Sequence, residues 1–286
     1  MLNDTKLAFV GSGTMAEAMI KVILDKSLIP PKQINGSGPR EERGRDLRER
    51  YGIEATTDNR QAVGEAGIVV LSVKPQVLPI VLAELEGLIA PDALVLSIVA
   101  GRTMDTITAG LKHAAVVRAM PNTPAQIGEG MTVWTATPAV NQRRRAQAQA
   151  LLQAMGQEIY VADERSLDMA TAVSGTGPTY VFMMMEAMID AAVHLGFSRR
   201  VARALVIQTV LGSVLFARQS DKHLAELRNM VTSPGGTSAD AIYQLEKGSL
   251  RTILSKAIWA AYQKSMLLGR QNNVSSPEQK LPLNES

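Results

Sequence analysis

Six residues that follow the first apolar run, Gly11-Ser12-Gly13-Thr14-Met15-Ala16, leave this chain few folds to choose from. Before them, Lys6-Leu-Ala-Phe-Val10 has the character of a short strand. After them, Ala18, Met19, Val22 and Ile23 recur at helical spacing. Strand, glycine turn and helix in that order make a G-x-G-x-x-A turn, which suits a dinucleotide. Gly11 permits the tight turn, and Gly13 lets the backbone approach a pyrophosphate. Ala16 is small enough for helix and strand to pack closely, and the helix N-terminus offsets the phosphate charge. A lone match to this pattern is weak evidence; its place between a strand and a helix gives it weight.

The alternation continues. Gln33-Ile-Asn-Gly-Ser37 reads as a second strand, followed by a charged helix over 40–51. Ile53-Glu-Ala55, Ile68-Val-Val-Leu-Ser72, Leu94-Val-Leu-Ser97 and Val116-Val-Arg-Ala-Met120 follow as further strands. Helical stretches, including 77–88 and 103–111, fall between them. Such a succession predicts a parallel sheet with helices on both faces, because parallel strands need crossover connections. Residues 131–136 and 158–161 read as additional strands around a helix over 141–155.

In an open parallel sheet the ligand lies beyond the carboxyl ends of the strands. At the end of the second strand a carboxylate would accept hydrogen bonds from a ribose 2′-OH. This chain instead offers Asn35, Gly36, Ser37, Gly38 and Arg40. A hydroxyl, bare glycine amides and a guanidinium suit a 2′-phosphate, which predicts NADPH in preference to NADH. Arg40 can also be read as an ordinary helix-surface residue. Later strands end in Ser72-Val73-Lys74-Pro75, Val99-Ala100-Gly101 and Pro121-Asn122-Thr123-Pro124. The last is a stiff loop whose polar residues can line a nicotinamide or substrate pocket, or serve only as a rigid turn.

From Leu167 on the strand signals stop. A helix begins at Ser166 and is interrupted by Ser174-Gly-Thr-Gly-Pro178. The next, over 180–195, is apolar nearly all round and ends at Gly196, which predicts burial against a second subunit. Helices over 199–218, 223–230, 237–246 and 250–269 complete this half. Between two of them lies Ser233-Pro-Gly-Gly-Thr-Ser238. It can be an inter-helix turn with Thr237 as N-cap and Asp240 completing a capping box. Its free amides can equally receive a small carboxylate.

Charged residues make up 20% of the 286, the formal charge is +3, and the one basic run, Arg143-Arg-Arg145, is explained by a solvated helix face, so nothing points to nucleic acid. Without cysteine, neither a disulfide nor a thiolate nucleophile is available, and no pair of the three histidines has metal-ligand spacing. No leader or membrane span is expected, and a cytoplasmic location follows as an expectation.

Together, Gly11-Ser-Gly-Thr-Met-Ala16, Val73-Lys-Pro75, Met120-Pro-Asn-Thr-Pro124, Val173-Ser-Gly-Thr-Gly-Pro178, Gln208-Thr209 and Ser233-Pro-Gly-Gly-Thr-Ser238 give the chain a resemblance to the Δ1-pyrroline-5-carboxylate reductases over residues 6–269. The resemblance implies an α/β N-terminal Rossmann domain, doubly wound with a mainly parallel sheet, followed by an all-α dimerisation domain. Expected boundaries are 1–163 and 164–270, with 271–286 a disordered tail. It implies NADPH-dependent reduction of 1-pyrroline-5-carboxylate to proline by a homodimer, one that can assemble into a ring of dimers. Implied cofactor contacts are Val10, Gly11, Ser12, Gly13, Thr14, Met15, Ser37, Arg40, Asn59, Val73, Lys74, Pro75, Ala100 and Asn122. Implied substrate contacts are Glu164, Ser174, Thr176, Ser233, Gly235, Gly236, Thr237 and Ser238. The Ser238 hydroxyl would act at the ring nitrogen as the catalytic residue. The family usually carries Thr at 238 and Ser at 176; here the two hydroxyl types are exchanged. A β-hydroxyacid dehydrogenase would share this layout but place a catalytic lysine in the first interdomain helix, and residues 167–173 contain none. A non-catalytic NADPH-sensing protein is the other alternative.

Overall fold

The structure is a computed structural model and describes Leu2 and residues 5–271. The tail expected from residue 271 on lies, beyond Gln271 itself, outside the described residues. Two compact units are present: one runs through Thr176 and is rejoined from Ala261, and the other is Gly177–Ala260.

The first unit is an eight-stranded sheet in the order β3-β2-β1-β4-β5-β6-β7-β8. Its strands are β1 (Leu7–Val10), β2 (Ile34–Ser37), β3 (Glu54–Thr56), β4 (Ile68–Leu71), β5 (Leu94–Ser97), β6 (Val116–Met120), β7 (Gly130–Ala136) and β8 (Gly156–Tyr160). Helices α1 (Thr14–Asp25), α2 (Glu41–Tyr51), α3 (Asn59–Val63), α4 (Leu78–Leu85), α5 (Met104–Leu111) and α6 (Gln142–Ala154) lie between strands, and α7 (Ser166–Ala170) follows the last. All pairings are parallel except β6 with β7. The order reverses between β1 and β4, which opens a crevice above their carboxyl ends.

Both faces of the sheet are covered, so β1, β4 and β5 are buried at every position instead of alternating with polar residues. Their side chains still alternate between two cores. Leu7, Phe9, Ile68, Val70, Leu94 and Leu96 pack with Met19, Ile20 and Ile23 of α1 and Leu151 of α6. Ala8, Val10, Val69, Leu71 and Val95 pack with Leu78, Val81 and Leu85 of α4 and with Ile107 and Leu111 of α5. The period of two fixes which cluster each residue joins.

The second unit is helical, with α8 (Gly177–His194), α9 (Arg199–Arg218), α10 (Leu224–Met230) and α11 (Thr237–Lys247); α12 (Leu250–Gln271) begins in it. Gly196 ends α8 at φ +109°, the left-handed stop expected of it. Between α7 and α8 the α-helical path is interrupted, as the glycines and Pro178 suggest, with a bend at Thr176. The path widens into one π-helical turn, Thr171–Gly175. Taken as a single chain, α8 buries none of its residues, and Phe182, Met183 and Met184 are exposed. α9 is long and apolar enough, by length and composition, to cross a membrane, with a mean hydropathy of 1.5. That corrects the expectation that no stretch approaches such a length.

Gly130 and Gly156 face each other in the β7–β8 register, and Gly156 takes φ +136°. A Cβ on Gly156 would run into the Gly130 carbonyl oxygen and amide nitrogen, which are backbone and have no rotamer to yield. Gly156→Ala is therefore expected to destabilise the chain by about 3 kcal/mol. A urea-unfolding midpoint equal to that of the unmodified chain would show that the pairing shifts to admit a side chain.

Candidate functional site

The glycine turn is held from below. Gly11 takes φ +98°, and a Cβ there would stand 2.7 Å from Val73 Cγ1 and 2.8 Å from the Val73 nitrogen. The carbonyl of Ser37 accepts from the amides of both Gly11, at 3.0 Å, and Ser12, at 2.9 Å. Ser72 Oγ donates to the Gly11 carbonyl at 2.8 Å. At Gly13 the situation reverses: a Cβ would meet nothing within 4 Å, so the glycine there keeps space open rather than relieving a clash. Gly13 is also the N-cap of α1, and no side chain covers the amides of that helix's first turn. The opening is a cleft of about 450 Å³ bordered by Gly11, Ser12, Gly13, Gly38, Arg40 and Lys74 among others. Uncapped amides, a cleared approach and nearby cations fit a dinucleotide pyrophosphate.

The charges around this cleft are sorted. Arg43 gives its Nε to the Ser12 carbonyl at 3.1 Å and pairs with Asp46 at 2.7 Å and with Glu17. Burial opposes ionisation of Glu17, yet hydrogen bonds from Arg43 and Tyr51 and the charges of Arg43 and Arg50 hold its carboxyl below the ordinary value. Arg43 is thus spent on structure. Arg40 and Lys74 are exposed at the cleft and, among the described residues, make no side-chain hydrogen bond or ion pair.

Ser37 and Asn59, both expected at the cofactor, are hydrogen-bonded to each other at the end of β2. The Ser37 hydroxyl is fully buried, 2.7 Å from Asn59 Oδ1 and 3.2 Å from the Phe9 carbonyl. Asn59 Nδ2 donates to Glu84 Oε2 at 2.8 Å. Ser37 closes β2, which is paired with β1 on one side and β3 on the other, and its side chain leaves through a face of the sheet. Val10 is buried in β1, while Thr14 is exposed and Met15, Val73, Pro75 and Ala100 are half-buried around the strand ends. Arg102, which the sequence reading did not single out, donates to the Pro75 carbonyl at 2.6 Å and ties the β5 loop to the β4 loop. Burial lowers its pKa.

Asn122 braces the loop after β6. Its Oδ1 accepts from the Met131 amide at 2.9 Å, and its Nδ2 donates to the Ser174 carbonyl in the π-helical turn at 3.1 Å. Within that turn Ser174 Oγ donates to the Ala170 carbonyl at 3.0 Å, and Thr176 Oγ1 to the Thr171 carbonyl at 2.9 Å. Both hydroxyls keep oxygen lone pairs for an incoming donor. Glu164 accepts from Arg118 Nη1 at 2.7 Å and from the Met104 amide, the first of α5, at 2.8 Å. Arg118 was passed over in the sequence. The signal was there: a guanidinium at the centre of the apolar run Val116-Val-Arg-Ala-Met120 must find carboxylates on burial.

The 233–238 loop belongs to the second unit and is exposed at Ser233, Gly235 and Thr237. The Gly236 amide donates to the Ser233 carbonyl at 3.1 Å, with Pro234 and Gly235 between them and Gly235 at φ +68°. Proline second and positive φ third define a type II turn. Thr237 is not the cap that the sequence suggested. It is the first residue of α11, and Gly236 occupies the N-cap in extended conformation with no side chain over the amides. The expected box with Asp240 does not form, which leaves the N–H groups of Thr237 and Ser238 at an uncovered helix end.

Residues 164–268 match the family model for pyrroline-5-carboxylate reductase dimerisation. Residues 6–101 match a model described as NADP oxidoreductase, coenzyme F420-dependent. A pyrroline-5-carboxylate reductase of Synechocystis is 38% identical over 266 residues, 93% of this chain and 99% of that protein. The chain belongs to the pyrroline-5-carboxylate reductase family. It is similar in structure to the pyrroline-5-carboxylate reductase of Coxiella burnetii, with TM-score 0.86 and 35% identity over 93% of this chain and 99% of the other. The Plasmodium falciparum pyrroline carboxylate reductase, solved with NADP bound, gives TM-score 0.86 and 30% identity over 94% and 100% of the two chains. As a member of this family the chain is an oxidoreductase.

The two glycines of the turn separate folding from binding. Gly11→Ala is expected to lower the melting temperature by several degrees, because strain and the Val73 contact act in the absence of ligand. Gly13→Ala should melt within about 2 °C of the parent but lose roughly tenfold or more in dinucleotide affinity by fluorescence titration. Equal loss of stability in both variants would contradict the assignment of Gly13 to ligand space.

Proposed function

We propose that this chain reduces 1-pyrroline-5-carboxylate to L-proline with NADPH, the last step of proline formation. The observation that carries the reading is the uncovered N-terminus of α11 behind the type II turn, a seat for one small carboxylate. The reductase relatives support it, as does the dinucleotide cleft at the other compact unit's glycine turn.

In this reading the amides of Thr237 and Ser238 hold the carboxylate, with Ser233, Gly235 and Gly236 shaping the turn beneath them. The Gly236 amide takes no part, since the Ser233 carbonyl already accepts it. Residues 11–15, with Arg40 and Lys74 at the phosphates, would hold the dinucleotide, which would supply the hydride when bound. A C=N carbon accepts hydride far more readily when the nitrogen is protonated or hydrogen-bonded, and the Ser238 hydroxyl donates that bond. Ser238 is a weak acid, so water is the ultimate proton source. Fixing the carboxylate orients the ring, and the gain in rate is chiefly proximity and orientation. Ser174, Thr176 and Glu164 are the substrate residues that the family resemblance assigns to the first unit.

Arg40 is the residue by which this chain prefers NADPH to NADH, because it is the exposed guanidinium at the end of β2 and no carboxylate stands there. Self-association follows from the helical half: Phe182, Met183 and Met184 of α8 and Leu211, Val214 and Phe216 of α9 are exposed in the single chain. A second copy covers them, and such pairs assemble into a ring. The apolar face of α9 is read as part of that interface and not as a membrane span, since Arg199, Arg200 and Arg203 lie on the helix and Gln208 and Thr209 interrupt its middle. A cytoplasmic location is consistent with this reading.

The assay is oxidation of NADPH with pyrroline-5-carboxylate as substrate and hydroxyacids as controls. Turnover confined to the imine is expected; none with the imine would overturn the reading. Ser238→Ala should lower kcat by roughly tenfold or more while NADPH affinity holds, and full turnover would remove the side chain from the mechanism. Arg40→Gln should cut the NADPH-over-NADH preference by about tenfold, the scale of one charge-assisted hydrogen bond. Unchanged selectivity would assign the preference to other groups.

A further inference from the structure

Arg118 is buried near the middle of the sheet, on β6, with its side chain 5% exposed. Its Nη1 bonds Glu164 Oε1 at 2.7 Å, and its Nη2 lies 3.9 Å from Asp168 Oδ1. Neither carboxylate is occupied by the arginine alone. The same Glu164 oxygen accepts the Met104 amide, which opens α5 directly after the β5 loop, residues 98–103. The same Asp168 oxygen accepts the Ser265 hydroxyl, on the part of α12 that rejoins the first unit. That part of α12 also packs on the β5 loop. Gly101 sits at φ +65° there, and a Cβ on it would lie 3.5 Å from the Gly269 nitrogen and from Leu268 Cβ.

Asp168 belongs to α7, whose continuation is the π-helical turn Thr171–Gly175. Asn122, two residues beyond the end of β6, grips that turn through the Ser174 carbonyl. One guanidinium, by a hydrogen bond to Glu164 and a longer ion pair to Asp168, thus stands behind contacts to three segments: the start of α5 after the β5 loop, α7 with its π-helical continuation, and the C-terminal helix at Ser265. β6, which carries the guanidinium, delivers the loop that grips the turn. Removing one partner of such a buried network leaves a charge uncompensated, so its members hold one another in place. Single π-helical turns inside helices cluster at functional sites.

We propose that Arg118 is a positioning residue of this enzyme. Its network with Glu164, Asp168 and Ser265 sets the β5 loop and the π-helical turn in fixed relation, and so sets the rate of the chemical step, Arg118 itself touching neither substrate nor cofactor. The proposal rests on the reductase reading for its kinetic part only. Ser265, a hydroxyl at the far end of the chain in sequence, is the outermost member of the set.

The test uses Ser265→Ala, Glu164→Gln and Arg118→Lys in the full-length enzyme, assayed well below the melting temperature of each. Ser265→Ala removes one hydrogen bond and keeps the charges, so it remains informative if Arg118→Lys fails to fold. Glu164→Gln retains an acceptor for the Met104 amide and should rank mildest of the two charge-network changes. Expected are a fall in kcat with pyrroline-5-carboxylate of about threefold for Ser265→Ala and tenfold or more for Arg118→Lys, the range of lost positioning. NADPH affinity, read by fluorescence titration, should stay within about twofold. Amide hydrogen exchange should quicken in 98–104 and 171–176 and not in the central strands. This readout needs no turnover, so it decides the proposal even if the wild-type chain fails to reduce the imine. Unchanged exchange in those two segments overturns the proposal. So does a folded Arg118→Lys with wild-type kcat, or activity that falls only in step with the folded fraction.

Discussion

Two amides, those of Gly11 and Ser12, converge on one carbonyl, that of Ser37, and the geometry of the nucleotide cleft hangs on this pair of bonds. Backbone donors of a turn at positive φ have no regular partner within their own element, so an adjacent strand must supply one or the cost of leaving them bare is met in stability. β2 supplies it at its last residue. The turn is then trapped between β2 on one side and Ser72 and Val73, just beyond β4, on the other. With the turn held from beneath, its upper surface is free of intramolecular obligations, which is why a Cβ on Gly13 would meet nothing. The binding surface is open because the supporting surface is fully satisfied.

The same division holds for charge. Three cations stand near the end of β2 and β4, and only their partners distinguish them. Arg43 faces Glu17 and Asp46 and holds the Ser12 carbonyl, so its charge organises the protein. Arg40 and Lys74 have no such partners among the described residues and border the cleft. A guanidinium already paired with two carboxylates gains little from a phosphate, whereas an exposed one exchanges water for it. Proximity to the cleft therefore says less about a residue's role than what its charge has already met.

Which elements were legible in the sequence, and which were not, follows from how far each signal reaches along the chain. The strand–turn–helix start and the apolar runs of β4, β5 and β6 are local, and their order alone implies a doubly wound sheet. The helix-rich second half is equally plain from 3.6-residue spacing in α8 and α9. What local patterns missed depends on direction. Ser37 sits at a strand end, and no local pattern shows that its hydroxyl meets Asn59. Thr237 fits a capping pattern, yet Gly236 takes the cap because the type II turn ends there. The break foreseen at Ser174 takes the form of a π-helical turn, in which the hydroxyls of Ser174 and Thr176 donate to the Ala170 and Thr171 carbonyls. Arg118 carried a readable signal, a charge inside a buried strand, but its partners lie 46 and 50 positions further on.

The surface of the helical unit extends this logic to the scale of the chain. In the sheet, an element apolar at every position is covered on every side, as β1, β4 and β5 are. α8 has a comparable composition and buries nothing, with Phe182 and Met183 each more than 60% exposed. Water does not tolerate such a helix as a free surface; each large side chain returned to it costs about 1.5–3 kcal/mol relative to burial. Gly177–Ala260 buries few of its large apolar side chains within itself, none in α8 and two residues in α9. A second copy is a surface of matching character, as the match to a dimerisation family model implies, and the flexible thioethers of α8 suit such a contact.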